Sequence, residues 1–129
     1  MAITIPVATK NSKLDLLVDK IDLGSTNASG QVWLKNAAGN VLVKLAMSNP
    51  AFGDAAIGTV DANAITDGIA ILAGTCTKFS IVDRDEVEVL AGSVTAVGGG
   101  GDLESSTSST AIVVSETVSI SGISLIEGG

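Results

Sequence analysis

The chain is a succession of short segments in which apolar and polar residues alternate, and this alternation predicts β-strands with one buried face. The clearest case is residues 31–47, where two alternating runs flank a turn at residues 36–40. In the second run, Val43 and Leu45 lie on one face and Lys44 on the other. We therefore expect residues 31–47 to form a β-hairpin.

A second hairpin is predicted further along the chain. Residues 74–82 and 86–94 both alternate, and the acidic turn at residues 83–85 separates them. We expect the two runs to pair, which leaves Glu86 and Glu88 on the face that contacts solvent.

Segments rich in turn-forming residues separate these elements. Residues 48–68 contain Pro50 and several glycines, which predicts a long connection with one short strand. Residues 98–110 have almost no apolar content and predict a flexible loop. Residues 112–129 alternate again, with a bulge or bend at Gly122, and we expect them to complete the sheet.

One segment has a helical period instead. Four apolar residues recur at the spacing of a single helical stripe, namely Leu14, Leu17, Val18 and Ile21. Ser12 followed by Asp15 is close to a capping box, and Gly24 is placed to end the helix. We expect one short amphipathic helix over about residues 13–23.

Several short strands, long connections and one helix predict a mainly β fold. The expected architecture is an antiparallel β-sandwich, either a jelly roll or immunoglobulin-like, and periodicity does not choose between the two. We expect an extended N-terminal arm at residues 1–11 and a single domain at residues 12–129.

Charge and composition argue against several classes of partner. The chain has 14 acidic and 7 basic residues, a net charge of −7, so a phosphate backbone would be repelled and we expect no nucleic-acid partner. No uncharged apolar stretch is long enough to span a bilayer, and we expect no membrane contact. The single cysteine, Cys76, has no partner for an internal disulfide, which suits assembly in a reducing cytoplasm.

Catalytic chemistry is poorly supported. With no histidine in the chain, the usual general base and the commonest transition-metal ligand are both missing. We therefore expect a protein that is not an enzyme, with no catalytic residue and no cofactor. Cys76 shares a strand face with Lys78, a cation that in principle lowers a thiol pKa, but we interpret Cys76 as a small strand residue.

Two further motifs are weak. The glycines at residues 98–101 are not followed by the Lys-Ser or Lys-Thr of a phosphate loop. Asp83, Asp85 and Glu86 offer oxygen ligands for calcium, yet Val87 stands where another ligand is needed. We expect a solvated turn there and no metal site.

The candidate partner-binding residues are apolar or aromatic. Trp33 lies on the strand face opposite Val32 and Leu34, so it is either buried by the helix or offered to a partner, and Trp is frequent in interface hot spots. The predicted partner-binding residues are Ile3, Ile5, Pro6 and Val7 in the arm, together with Trp33 and Phe52.

Three stretches resemble small structural proteins of tailed phages and prophages. They are ATKNSKLDLLVDKID at 8–22, SNPAFGDAAIGTVDANAITDG at 48–68, and KFSIVDRDEVEVLAGSV at 78–94 followed by ETVSISGISLIEGG at 116–129. The most specific motifs are NPAFG, ANAIT and the FSIVDRD hairpin.

This resemblance implies a virion component, and we expect a head decoration or cement protein on the capsid surface. Its expected partners are the major capsid protein and further copies of itself, as a dimer or trimer assembled in the bacterial host cytoplasm. A tail-associated structural or receptor- or carbohydrate-binding module, using the loops at 50–68 and 98–110, is the alternative. An enzyme with two catalytic carboxylates is a third possibility, but neither His nor Tyr is present to assist it.

Overall fold

The computed structural model describes residues 6–105 and 109–126, and these residues form a mainly β fold with one short N-terminal helix. Helix α1 spans Val7–Asp19, and a 3-10 turn at Lys20–Asp22 continues it. The strands are Gln31–Lys35 (β1), Val41–Ala46 (β2), Thr59–Asp61 (β3), Gly68–Ile69 (β4), Gly74–Thr75 (β5), Lys78–Val82 (β6), Glu88–Thr95 (β7), Leu103–Glu104 (β8), Ala111–Ile112 (β9), Thr117–Val118 (β10) and Ser124–Ile126 (β11).

The largest sheet has five strands in the order β2-β1-β6-β7-β8. Three two-stranded ladders, β10-β4, β11-β3 and β5-β9, complete the described strand pairing. All of these pairs are antiparallel except β7 and β8, which run parallel. The main sheet is therefore mixed, which corrects the expectation of purely antiparallel pairing. The physical reason is that residues 96–102 cross over and return the chain in the same direction.

The first predicted hairpin is confirmed. Strands β1 and β2 pair antiparallel, with Trp33 opposite Lys44. The side chain of Asn36 accepts a hydrogen bond from the backbone N–H of Asn40 at 2.9 Å, and Gly39 adopts a φ of +89°. Because L side chains rarely adopt a positive φ, the glycine allows the chain to reverse here.

The second predicted hairpin is confirmed over β6 and β7, and Glu86 and Glu88 are exposed as expected. Residues 74–75, however, do not pair with the 86–94 run. They form β5, which pairs with β9 in the C-terminal part of the chain. Within the predicted loop at residues 98–110, Leu103–Glu104 forms strand β8 at the edge of the main sheet.

The helix begins earlier than predicted. Its first residue is Val7, which follows an extended Pro6 (φ −60°, ψ 151°), so residues 7–11 are helical and their assignment to an extended arm is wrong. A proline at a helix start loses nothing, because N–H groups there have no partner within the helix. Residues 1–5 of the predicted arm lie outside the described residues.

The predicted capping box does not form. Ser12 lies inside α1, where its hydroxyl donates to the carbonyl of Ala8 at 3.1 Å. Asp15 accepts a hydrogen bond from the backbone N–H of Ala55 instead, at 2.8 Å. Three of the four residues of the apolar stripe, Leu14, Val18 and Ile21, are buried, and Leu17 is only half-buried.

The hydrophobic core lies between the inner face of the main sheet, the helix and the ladders. The main sheet contributes Val32, Leu34, Leu45, Phe79 and Ile81, which are paired across β1, β2 and β6 by the register of the sheet. The helix packs against β3 and adds its stripe to this core, and the rest of the cluster includes Val60, Ala70, Ile112 and Ile123. One continuous core therefore serves the described chain.

Candidate partner-binding surfaces

The predicted partner-binding residues do not form one site. Pro6 is exposed and Val7 is 51% exposed at the start of α1. Ile3 and Ile5 lie outside the described residues. Trp33 is half-buried on the main sheet, and Phe52 lies in the connection after β2.

Phe52 is a core residue, which corrects its assignment to partner binding. Its exposed fraction is only 4%. The connection folds back on itself, since Phe52 bridges to Ala62 and the N–H of Gly53 donates to the carbonyl of Asp61 at 3.0 Å. The ring belongs to the hydrophobic core, where it packs among apolar side chains.

Trp33 lies on the outer side of the main sheet, because its strand neighbours Val32 and Leu34 point into the core. Its indole N–H donates to the side-chain oxygen of Gln31 at 2.8 Å. The ammonium of Lys44 lies 4.5 Å from the ring centroid, a cation–π distance, and that of Lys35 lies 5.8 Å away. Lysine side chains, and not the helix, flank the ring.

The register of the sheet gathers basic residues around Trp33. Lys44 of β2 lies directly opposite Trp33, and Lys78 of β6 lies directly opposite Lys35 of β1. We call this outer side of β1, β2 and β6, defined by Trp33, Lys35, Lys44 and Lys78, the Trp33 face. Sequence reasoning missed it, because Lys35 and Lys78 meet only through the pairing of two strands that are distant in sequence.

A second surface is apolar. Five large apolar side chains are 42–66% exposed along the ladders that join residues 68–75 to residues 111–118, and they are Ile69, Ile71, Leu72, Val113 and Val114. We call this set the apolar ridge. Residues 71–72 and 113–114 lie between the β10-β4 ladder and the β5-β9 ladder. A sequence signal did exist, since residues 69–72 and 111–114 are uninterrupted apolar runs.

An open cleft of about 810 Å³ separates β8 from the C-terminal segment. Its apolar wall includes Leu34, Val94, Leu103 and Ile112. Serine and threonine residues are frequent along its length, at positions 105, 109, 110, 117, 119 and 121. No aromatic side chain lines this cleft among the described residues.

Cys76 also borders this cleft, but it is buried. Burial raises the pKa of its thiol, and hydrogen bonds with the backbone of Lys35 and Lys78 oppose that rise only in part. The Lys78 ammonium donates a hydrogen bond to the carbonyl of Ala37 at 3.1 Å, and it is not among the groups that shift the pKa of the thiol. The expectation of a structural cysteine therefore agrees with a raised pKa, which disfavours the reactive thiolate.

The acidic turn of the second hairpin is a hydrogen-bonded corner. One carboxylate oxygen of Asp85 accepts the N–H groups of Ser25 and Thr26 and the hydroxyl of Thr26. Asp83 accepts the N–H groups of Asp85 and Val87. Over residues 6–105 and 109–126, no group of three or more acidic or cysteine side chains is arranged to hold a metal ion.

Within the described part of the chain, no helix is long and apolar enough to cross a membrane. Comparison of the chain with protein-family models, with curated proteins and with solved structures found no match in any of the three.

Proposed function

We propose that this chain is a non-enzymatic structural protein of a tailed-phage virion, a head decoration or cement protein that binds the major capsid protein on the capsid surface. It acts as a homo-oligomer, a dimer or trimer, assembled in the bacterial host cytoplasm. The motifs NPAFG, ANAIT and FSIVDRD motivate this assignment, and the function is stabilisation of the capsid lattice through added interface.

The apolar ridge is the observation that carries the proposal. Surface apolar residues scattered singly are normal, but five large ones along two ladders of the same two segments favour a contact surface. A stable contact generally buries about 800 Å² on each partner, with an apolar centre and a polar rim. The ridge supplies such an apolar centre. Because the contact is repeated over many symmetric copies, a modest binding free energy at each copy adds up over the lattice.

The proposed architecture for this role is a two-layer β-sandwich of jelly-roll or immunoglobulin-like type. Two features support it: the main sheet buries one face, and apolar residues of the ladders belong to the same hydrophobic core as that face. A sandwich presents its outer faces and ladders to neighbours without disturbing the core.

The test is reattachment of the purified protein to parent particles that lack it, measured by co-sedimentation. The double variant Ile71→Glu, Val113→Glu places two charges in the ridge and is expected to abolish binding, because unpaired charges in an apolar contact are costly. The matched control is Leu16→Glu, Leu23→Glu, which places the same charges at exposed apolar positions on the helix side.

Binding by the ridge variant equal to that of the unchanged protein would contradict the proposal. A cryo-electron-microscopy map of the parent virion gives the location independently. Regular copies of this chain on the capsid surface are expected, and density confined to the tail would instead favour the tail-module alternative.

That alternative, a receptor- or carbohydrate-binding tail module, has one observation in its favour. The cleft beside β8 is rich in hydroxyl groups and includes carboxylates of Asp102, Glu104 and Glu116, which are groups that bond sugar hydroxyls. Its lining lacks aromatic side chains over the described residues, so the capsid role has the stronger support. A glycan array with specific hits, lost on Asp102→Asn, would reverse this order.

A further inference from the structure

The Trp33 face has an unusual distribution of charge. The chain has only 7 basic residues against 14 acidic ones, yet three of the seven converge on this face. Lys35 and Lys78 are directly opposite each other in neighbouring strands. Like charges in that relationship destabilise a sheet.

Carboxylates of the described chain compensate this charge only weakly. Lys44 contacts Glu86 at 4.0 Å, the outer limit of an ion pair, and both side chains are 40% exposed. An exposed pair of this kind contributes little to stability. Glu88 is engaged by the hydroxyl of Ser80. In the part of the chain that the structure describes, no carboxylate lies within 4.0 Å of Lys35 or Lys78.

Trp33 supplies an aromatic centre to the same face. Its indole N–H donates to Gln31, and the ammonium of Lys44 lies over the ring, so the ring has a defined position on a central strand. A Trp that is half-buried and bordered by charged residues has the composition of an interface hot spot. The ring offers apolar contact, and the surrounding ammonium groups offer ion pairs.

We infer that the Trp33 face binds an acidic polypeptide segment of a partner. Carboxylates of the segment pair with Lys35, Lys44 and Lys78, and its aliphatic groups pack on Trp33. Binding supplies counter-charge to Lys35 and Lys78, which have no carboxylate within 4.0 Å in the described chain. A long nucleic acid is disfavoured as the occupant because its phosphates would also meet the remaining surface of a chain with a net charge of −7.

This inference goes beyond the proposed virion role and concerns a different surface. The Trp33 face lies on β1, β2 and β6, and the apolar ridge lies on the ladders of residues 68–75 and 111–118. Different variants test the two surfaces. The virion role of the apolar ridge and the binding by the Trp33 face can therefore be refuted independently.

The fluorescence of Trp33 reports on binding at the Trp33 face, because Trp33 is the only tryptophan and the chain has no tyrosine. The experiment is a fluorescence titration of the full chain with an octaglutamate peptide, with octaglutamine as the uncharged control. A saturable change in Trp33 emission is expected with octaglutamate alone. It weakens as salt is raised to about 0.5 M, where charges at an exposed face are strongly screened.

The variant Lys35→Gln, Lys78→Gln is expected to weaken octaglutamate binding about tenfold, as the loss of two exposed ion pairs. Its melting temperature is expected to change little, because removal of the like-charge pair opposes the loss of the exposed hydrogen bond from Lys78 to Ala37. The matched control Lys10→Gln, Lys20→Gln makes the same change in net charge on the helix side and leaves the affinity unchanged.

Three results would overturn the inference. The first is no saturable change with octaglutamate, and the second is an equal loss of affinity in the helix-side control. The third is tighter binding of an oligothymidylate of the same length, which would assign the face to single-stranded nucleic acid.

Discussion

Thr26 donates two hydrogen bonds to one carboxylate oxygen of Asp85, from its backbone N–H at 3.1 Å and from its hydroxyl at 2.9 Å. The backbone N–H of Ser25 donates a third at 3.0 Å. These bonds join the segment after the helix to the turn of the second hairpin. Led by the backbone donation from Ser25, they favour the charged carboxylate and lower the pKa of Asp85 from its ordinary value.

Asp85 is therefore expected to make stability depend on pH. Because its pKa is lower in the folded than in the unfolded state, its contribution is present above the unfolded value of about 4 and is lost as pH falls through the folded pKa. Asp85→Asn should melt at a lower temperature than the unchanged protein at pH 7, and the difference should shrink in acid. Circular dichroism melts across this range measure it.

The control for this prediction is Asp54→Asn, which removes an exposed carboxylate from another loop. Its melting temperature is expected to follow that of the unchanged protein at every pH. A deficit of Asp85→Asn that stays constant from neutral pH into strong acid would contradict the assigned role of the charge.

Asp15 is expected to anchor the connection between β2 and β3 to the helix. Its carboxylate accepts the N–H of Ala55 at 2.8 Å, and Asn11 accepts the N–H of Gly58 at 2.9 Å. Asp15→Ala leaves the N–H of Ala55 without this acceptor and should lower the free energy of unfolding by about 1–3 kcal/mol. Urea denaturation measures the loss.

The matched control is Asp19→Ala, an exposed acidic residue at the end of the same helix. Its effect should stay within about 0.5 kcal/mol, as for most surface substitutions. Equal effects of the two variants would mean that the contact with Ala55 contributes nothing specific.

Gly30 allows the chain to pass closely between the helix end and β6. A Cβ at this position would lie 2.4 Å from Cγ2 of the buried Ile21 and 2.8 Å from the carbonyl oxygen of Val82. Gly30→Ala should therefore cost about 1–3 kcal/mol of stability, the usual range for overpacking. In contrast, Gly122→Ala adds its Cβ to open space and serves as the control in the same denaturation series.

Cys76 is expected to react slowly with a thiol reagent in the folded protein. The side chain is buried, and burial raises its pKa, so both access and thiolate fraction are low. Labelling at pH 8 should be much slower in buffer than in concentrated urea, and the rate should rise with the unfolded population. Labelling that is equally fast in both solutions would show that the neighbouring cleft exposes the thiol.

Local patterns were enough to predict the elements that depend on neighbouring residues. The two hairpins follow from alternation with a period of two on either side of a turn, and the stripe of Leu14, Val18 and Ile21 follows from the helical period. These periods reflect which side of each element is buried. A period is therefore recognisable in the sequence wherever one face of the element is apolar.

The start of the helix and the burial of Phe52 were decided by tertiary contacts. Ser12 and Asp15 resemble a capping box, but the carboxylate of Asp15 accepts a hydrogen bond from the backbone N–H of Ala55, which is 40 residues away. Phe52 stands in a turn-rich segment that is typical of the surface, and its pairing with Ala62 and its place in the hydrophobic core appear only in the fold. Such contacts leave no periodic signal.

The two candidate surfaces differ in the same way. Apolar runs at residues 69–72 and 111–114 are visible in the sequence, although only the fold shows that they are neighbours and exposed. The Trp33 face has no local signal at all. Lys35 and Lys78 meet because β6 pairs beside β1, and the order of strands in a sheet depends on long-range packing that alternation along a single strand does not encode.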